Sequence, residues 1–263
     1  MNEWPLPGEL PDPNSSDAVV PAPVPNAPFP VWGYGDLLFV IALFVGLTVA
    51  FLIVGFVLFA MYPQLLTVVP PPIAVILQQA FIYGAGLLAL YSVVTLRYGQ
   101  PFWEALRWQG SAASLKMAVW AGVGTAIAGT LLGAVLGAQN LDDMPMQAML
   151  SSRAIVAVVG LLAVTIGPLW EELTFRGFLL PLVAKSLGNV AAIVITACPF
   201  ALMHGPQYGW AWQALVPVGF AGVCFGAARV MTGSTSVATL MHSIYNLTVF
   251  AAFLGQGGAD KLP

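Results

Sequence analysis

Three groups of polar residues lie in the second half of an otherwise apolar chain. Carboxylates and imidazoles are the side chains that most often transfer protons in enzymes, and the chain has two histidines in all. The groups share a spacing of four residues, one helical turn, and they are Glu171, Glu172 and Arg176; Phe200 and His204; His242 and Asn246. This pattern predicts a site for acid–base chemistry.

The first group separates two carboxylates by orientation. On a helix, Glu172 and Arg176 lie on one face because they are four residues apart, and a structural ion pair at the membrane edge is one interpretation of them. Glu171 points roughly 100° away around the helix, so it does not share Arg176 equally well. We therefore take Glu171 as the candidate general base.

The two histidines have alternative interpretations when each is taken alone. His204 ends an apolar run just before Gly205 and Pro206, where a histidine is often an interfacial hydrogen-bonding residue. His242 and Asn246 project from one face of the last apolar segment. An asparagine there often bonds a neighbouring helix. The case for chemistry rests on the two histidines and the glutamates together.

A turn sequence indicates how these groups meet. Residues 186–189 read Ser-Leu-Gly-Asn, which is a good turn between two helices. An antiparallel hairpin about this turn would place Glu171 level with His204. A helix from 154 to 187 is too long to cross a membrane once, so we expect a bend near Pro181, with residues 177–187 along the interface.

Composition identifies the kind of protein that holds these residues. Of 263 residues, 59% are hydrophobic and 7% are charged, and the mean hydropathy is +0.87. A soluble domain carries roughly a quarter charged residues. Eight basic against eleven acidic residues leave no basic surface for nucleic acid. The chain is therefore predicted to be a multi-pass protein of the cell membrane, with the lipid bilayer as its partner.

The apolar segments predict an all-α, polytopic transmembrane helical bundle of about seven to eight membrane helices. They occupy residues 37–61, 73–96, 117–138, 154–170, 189–204, 210–231 and 236–254. We expect a disordered Pro-rich N-terminal tail over 1–35, leading helices with an amphipathic link over 36–140, a catalytic core over 145–254 and a short tail over 255–263. The amphipathic part is expected over 98–115, lying along the interface.

The distribution of charge predicts an orientation. Arg97, Arg107 and Lys116 lie between the second and third apolar segments, and positive loops favour the cytoplasm. The N-terminal tail is then cytoplasmic as well, and the loop with Asp142 and Asp143 is outside.

Taken in order, the EExxxR, FxxxH and HxxxN motifs resemble those of the CPBP family of intramembrane proteases. That family includes the CAAX prenyl endopeptidases and the bacteriocin-immunity (Abi) proteins of bacteria. The resemblance covers roughly residues 145–250. Arg229, Gly233 and Ser234 match a further family element, Arg-x-x-x-Gly-Ser, although Thr235 and Ser236 follow where members often have an apolar residue and tryptophan.

The resemblance implies a role for each matching residue. Glu171 would activate a water molecule, and His204 would hold or share its proton. His242 and Asn246 would face the scissile carbonyl and stabilise the oxyanion. Glu172, Arg176 and Phe200 would support these groups. The substrate would be a membrane-associated peptide or protein, lipidated in the CAAX case, and nucleic acid would not be a partner.

Other interpretations of the residues stay open. Glu171, His204 and His242 are also a two-histidine, one-carboxylate set of the kind that binds zinc, although we favour hydrolysis without a metal. A non-catalytic membrane protein, with a role in bacteriocin immunity or as a scaffold, is a second functional class. A proton-coupled transporter is a third, and the lack of a sequence repeat counts against it.

Overall fold

The computed structural model describes residues 29–138, 145 and 152–256, and this part of the chain is helical without a strand. Its α-helices are α1 (Tyr34–Met61), α2 (Leu65–Val68), α3 (Pro71–Tyr91), α4 (Phe102–Ala105), α5 (Ala112–Val135), α6 (Arg153–Val164), α7 (Ile166–Glu172), α8 (Leu180–Leu187), α9 (Asn189–Met203), α10 (Trp212–Thr232) and α11 (Thr235–Gly255). Two π-helical segments complete the set, π1 (Ser92–Arg97) after α3 and π2 (Leu173–Leu179) between α7 and α8. The predicted all-α class is confirmed.

Six helical stretches in the described residues are long and apolar enough to cross a membrane. They are Tyr34–Met61, Ile76–Arg97, Ser114–Val135, Arg153–Leu187, Trp212–Thr232 and Thr235–Gly255. The shorter α9, Asn189–Met203, is also apolar and brings the number of apolar helical segments to seven. Large apolar side chains such as Phe56 and Val190 point outward and are more than 70% exposed, as lipid-facing residues of a membrane-embedded, multi-pass protein are.

α11 is the central helix of the bundle. It packs against α5, α6, α7 and α10, while α10 in turn packs against α9. The close approach of α5 and α11 depends on Gly122, because a β-carbon there would lie 2.6 Å from the carbonyl oxygen of Met241. Small residues commonly permit such contacts between membrane helices. This packing surrounds His242 of α11 with the helices that carry the other polar groups.

The long stretch Arg153–Leu187 is interrupted at more than one point. Pro181 lies in the first turn of α8, directly after π2, where its missing N–H is tolerated; the predicted bend near Pro181 stays a prediction. The α-helix breaks at Thr165, with φ −118° and ψ −81°, three residues before Pro168. The π2 segment follows directly after Glu172. The placement of 177–187 along the interface stays a prediction.

The helical body includes residues 29–35, which lie at the end of the predicted N-terminal tail. Trp32 is 1% exposed, its ring stacks on Phe178 with centroids 5.0 Å apart, and its Nε1–H donates to the Phe178 carbonyl at 3.1 Å. α1 begins at Tyr34 and includes Asp36, which pairs with Arg97 at 3.2 Å. The segment from residue 29 onward therefore belongs to the helical body.

The link over 98–115 does not form the predicted amphipathic interfacial helix. Four residues of it are helical, in α4, before α5 begins at Ala112. Leu106 is fully buried, and the backbone of Arg107 accepts a hydrogen bond from the Thr235 N–H at 2.9 Å. The Ser236 hydroxyl donates to the carbonyl of Gln109 at 2.7 Å. Hydrogen bonds to the start of α11 thus hold this link against the bundle.

Several predictions concern residues outside the described ranges. They are the Pro-rich tail up to residue 28, the loop with Asp142 and Asp143, and the tail after residue 256.

Candidate active site

A helical hairpin brings the first two polar groups together, as the turn sequence predicts. α8 ends at Leu187, Gly188 has φ 80°, and α9 begins at Asn189. Glycine suits this backbone because it has no β-carbon to clash at positive φ. The hairpin places Glu171 Oε2 4.0 Å from His204 Nε2.

Glu172 and Arg176 form the predicted ion pair, and the pair lies in the interior of the protein. Both side chains are fully buried, and Arg176 Nη1 donates to Glu172 Oε1 at 2.7 Å. Arg176 Nη2 donates to the Gly222 carbonyl of α10 at 2.8 Å. The same Glu172 oxygen accepts from His242 Nδ1 at 3.0 Å. Glu172 therefore connects π2 and α11, and it orients the His242 ring.

The hydrogen bonds of the two imidazoles fix which nitrogen carries the proton. His204 Nδ1 lies 2.8 Å from the Phe200 carbonyl, and a carbonyl only accepts, so Nδ1 is the donor. His242 Nδ1 likewise faces the Glu172 carboxylate. In a neutral imidazole the other nitrogen is then an acceptor. Both Nε2 atoms consequently present a lone pair to Glu171 Oε2, at 4.0 Å and 3.9 Å.

Asn246 approaches the site from α11 and also bonds the broken helix. Its Nδ2 donates to the Ala163 carbonyl at 2.7 Å. That carbonyl lies two residues before the break at Thr165, where the regular helical hydrogen bonds are interrupted. One N–H of the amide is used there, which leaves the second N–H and the oxygen for other contacts.

A cavity of about 270 Å³ contains these groups. Glu171, His204, His242 and Asn246 all line it, while its walls are mostly aliphatic and aromatic. Glu171 Oε2 has no hydrogen-bond partner among the described residues. A buried acceptor without a partner costs free energy, so the cavity offers a place for a water molecule or a substrate group.

Comparison with known proteins assigns this part of the chain. Residues 153–248 match the family model described as "Type II CAAX prenyl endopeptidase Rce1-like". This match supports a CAAX-protease-like domain over residues 153–248. The match covers a little over a third of the chain and includes all seven residues of the EExxxR, FxxxH and HxxxN motifs. No curated protein and no solved structure matches the chain. The family is one of membrane proteases, which supports a peptidase.

Aromatic rings seal the buried side of the CAAX-protease domain's polar network. Phe200 is 1% exposed, and the Arg176 guanidinium carbon lies 4.5 Å from the centre of its ring. Phe225 stacks on the His242 ring at 4.5 Å. Cation–π and stacking contacts of this kind exclude water from buried charges. These contacts restrict rotation of the His242 ring and keep its Nε2 directed to Glu171.

The candidate metal ligands are spaced more widely than a zinc site requires. With bonds of 2.0–2.1 Å, tetrahedral ligand atoms are about 3.3–3.4 Å apart, whereas Glu171 Oε2 lies 3.9 Å and 4.0 Å from the two Nε2 atoms. The described residues contain no cluster of three His, Cys, Asp or Glu side chains suited to hold a metal ion. The residues as placed do not fit a metal, and we derive no step through one.

Sequence reasoning missed several residues that line the cavity. Tyr83 of α3 packs against Trp170 with ring centroids 5.3 Å apart, and its hydroxyl would lie 3.2 Å from a β-carbon at Gly167. Tyr208 lines the cavity from the connection between α9 and α10. Burial and the Glu171 carboxylate raise the pKa of the Tyr208 phenol, so Tyr208 remains a hydrogen-bond donor. A tyrosine in an apolar segment gives no motif, so no sequence signal identified either residue.

Proposed function

We propose that the CAAX-protease domain is an intramembrane endopeptidase in which Glu171 activates a water molecule with help from both histidines. The observation that carries the proposal is the convergence of Glu171 Oε2 with two imidazole Nε2 atoms, within 4.0 Å of it, in one cavity. Three acceptors without a donor among them favour a bound hydrogen-bond donor. Water is the smallest such donor and is also the second substrate of hydrolysis.

A water molecule has two O–H donors, so it binds two of these three acceptors at a time, at about 2.8 Å from each. It fits between Glu171 Oε2 and either Nε2 atom, which lie 4.0 Å and 3.9 Å from that oxygen. As its oxygen attacks the scissile carbonyl carbon, one of its protons passes to the Glu171 carboxylate. The C–N bond of the tetrahedral intermediate then breaks, and the proton passes from Glu171, shared with His204, to the leaving nitrogen. The products are a carboxylic acid and an amine, so no further reactant is needed.

His242 and Asn246 are assigned to the oxyanion of that intermediate. The proton that Glu171 takes from the water is shared with His242 Nε2, 3.9 Å away, as well as with His204, before it moves to the leaving nitrogen. While His242 holds that proton, Nε2 is a donor to the oxyanion, and the Glu172 oxygen 3.0 Å from Nδ1 stabilises the imidazolium. The free N–H of the Asn246 amide is a second donor. Donors held in place before the reaction are effective because they need no reorganisation.

The surroundings of the site support a substrate class and an orientation. The mostly apolar cavity suits a membrane-associated peptide or protein, and a lipidated one is included.

We define the basic end of the bundle by its five cationic side chains, Arg97, Arg107, Lys116, Lys185 and Arg229. Positive residues favour the cytoplasmic side, which supports a cytoplasmic basic end and N-terminal tail in the cell membrane.

Cleavage of a lipid-anchored, fluorescence-quenched peptide by the purified full chain in detergent tests the proposal. We expect Glu171→Gln to lower the rate at least about 100-fold, because an amide does not accept the proton of water. The thermal unfolding midpoint should not fall, since Glu171 Oε2 makes no hydrogen bond within the described residues. Glu104→Gln is the matched control, as it removes an exposed carboxylate in α4 and should cleave at the wild-type rate.

Each contrary result has a definite meaning. Full activity of Glu171→Gln would remove Glu171 from the reaction. Proton-dependent transport by the wild type in liposomes, without cleavage, would favour a transporter. The same assay with a chelator and with added Zn²⁺ tests metal dependence: we expect an unchanged rate, and a chelator-sensitive rate restored by Zn²⁺ would establish a metal enzyme.

A further inference from the structure

Arg229 is a buried cation without a carboxylate partner among the described residues. It is 6% exposed, and its Nε donates to the neutral Thr235 hydroxyl at 3.1 Å. The charged group that acts on it electrostatically is another cation, Arg107. Thr235 joins the two residues, because its hydroxyl accepts from Arg229 Nε and its N–H donates to the Arg107 carbonyl. An uncompensated buried charge is costly, so the buried Arg229 guanidinium, with a second cation on the adjoining link, favours a bound anion.

The acidic residues in the described part of the chain do not supply that anion. Asp36 pairs with Arg97, Glu172 pairs with Arg176, and Glu171 lies in the active site. Glu104 is exposed and makes no ion pair with Arg229 or Arg107 in the described residues. The positive charge of Arg107 and Arg229 is therefore not neutralised by an acidic side chain of the described residues, and a group from outside these residues is needed to neutralise it.

The two guanidinium groups are held in place and remain reachable. The Arg107 backbone, with φ 57°, is fixed because its carbonyl accepts from the Thr235 N–H at 2.9 Å, while its side chain is exposed. Thr235 also donates to the Leu106 carbonyl at 2.5 Å. The hydrogen bond that Arg229 makes within the described residues uses Nε, not the terminal Nη nitrogens. Their donors are thus available to a ligand.

The depth of this pair identifies the class of anion. Arg229 lies in the last turn of a membrane-spanning helix that ends at Thr232, and Arg107 lies in the link outside the spans. This is the level of lipid headgroups. An open groove begins at Trp108, the residue after Arg107, and its apolar lining residues are Trp108, Leu115 and Leu240, which are suited to the apolar part of a lipid. Guanidinium groups bind phosphate oxygens in a bidentate manner.

We propose that Arg107 and Arg229 form a binding site for the phosphate of an anionic lipid headgroup at the basic end of the bundle. In this site Thr235 has a structural role, since its hydroxyl joins Arg229 to the link that carries Arg107. The proposal is independent of the peptidase function.

Thermal unfolding of the full chain in detergent, titrated with lipid, tests this site. Phosphatidylglycerol should raise the unfolding midpoint by about 2–4 °C, and phosphatidylcholine, whose headgroup has no net charge, should not. Arg107→Gln should remove more than half of the rise, whereas Lys116→Gln should retain it. Lys116 is the matched control because it is an exposed cation at the same end. Arg229→Lys keeps the charge but loses the bidentate fork, and it should also reduce the rise.

The contrary outcomes overturn the proposal in different ways. An equal rise with both lipids would show that charge is not recognised. A full rise in Arg107→Gln, or an equal loss in Lys116→Gln, would replace the site by diffuse surface charge. A rise of the same size with inorganic phosphate alone would assign the site to free phosphate and not to a lipid.

Discussion

Glu171 and Glu172 are adjacent in the chain but have opposite surroundings. Glu172 is fully buried and accepts hydrogen bonds from Arg176 and His242. Glu171 projects into the cavity, and its Oε2 has no hydrogen-bond partner in the described part of the chain. The rotation of roughly 100° between consecutive helical residues produces this division. One carboxylate is therefore suited to structure and the other to chemistry.

This division predicts that Glu172→Gln is destabilising. The variant leaves the Arg176 guanidinium buried without its counter-charge, and breaking a buried pair in this way costs about 3–5 kcal/mol. Thermal unfolding in detergent should show a lower midpoint than in the wild type and in Glu171→Gln. The peptidase rate should fall as well, because His242 loses the acceptor that fixes its ring. Wild-type stability of Glu172→Gln would contradict the structural assignment.

Residue-scale features were predictable where charge and helical spacing define them. The Glu172–Arg176 pair follows from a separation of four residues, and the approach of His204 to Glu171 follows from the turn at Gly188. The contact between Glu172 and His242 joins residues 70 positions apart and depends on how α11 packs. The sequence therefore indicated a support role for Glu172, but not its hydrogen bond with Nδ1 of His242.

At the scale of elements, residues 30–34 support π2. These residues precede the matched domain, which begins at residue 153. The Trp32 indole bonds the carbonyl of Phe178, two residues after Arg176. Lys185 Nζ donates to the Pro30 carbonyl at 3.2 Å, and the Tyr34 hydroxyl donates to Ser186 at 2.9 Å. These contacts fasten π2 and α8, which carry Arg176 into the site.

Trp32 is the residue of this segment whose substitution should matter most. Trp32→Ala removes a buried aromatic ring, and such a change costs about 3–5 kcal/mol. Trp32→Phe retains stacking on Phe178 but leaves a buried carbonyl unpaired, at about 1–3 kcal/mol. The measurement is the unfolding midpoint of the full chain in detergent.

Tyr34→Phe is the matched control for this series. It removes a hydrogen bond from the same segment, but Tyr34 is 49% exposed, so the change should stay within about 0.5 kcal/mol. Equal midpoints for Trp32→Ala and the wild type would show that this segment does not stabilise π2.

The helices themselves were predictable. A long uncharged segment in a membrane has no water to bond its backbone N–H and C=O groups, and an α-helix satisfies these groups within the segment. The break at Thr165 was not predictable, because the proline nearest to it, Pro168, is no more prominent in the sequence than Pro181, and the irregular backbone lies three residues before it. The link over 98–115 was misjudged for a related reason. Its aromatic and charged residues are typical of an interfacial helix, whereas hydrogen bonds from Thr235 and Ser236 determine its path.

At the scale of the whole molecule, the number of membrane crossings determines whether the start of α1 and the end of α11 lie on the same side of the membrane. Six long apolar stretches and the shorter α9 give an odd number if each crosses once, so the start of α1 and the end of α11 lie on opposite sides. The contacts of Tyr34 with Ser186 and of Lys185 with Pro30 place the start of α1 at the basic end. Gln256, just after α11, then lies at the other end.

Labelling of single cysteines with a membrane-impermeant maleimide tests this arrangement. The free thiols of Cys198 and Cys224 are first replaced by alanine, and Glu104→Cys or Gln256→Cys is introduced at an exposed position. If the basic end is cytoplasmic, Gln256→Cys should react in intact cells, whereas Glu104→Cys should react after permeabilisation alone. The reverse pattern would place the basic end outside. Equal behaviour of both positions, whether in intact cells or after permeabilisation alone, would place them on the same side and show an even number of crossings. The segment that fails to span would then be α9, because it has 15 residues where about 20 are needed.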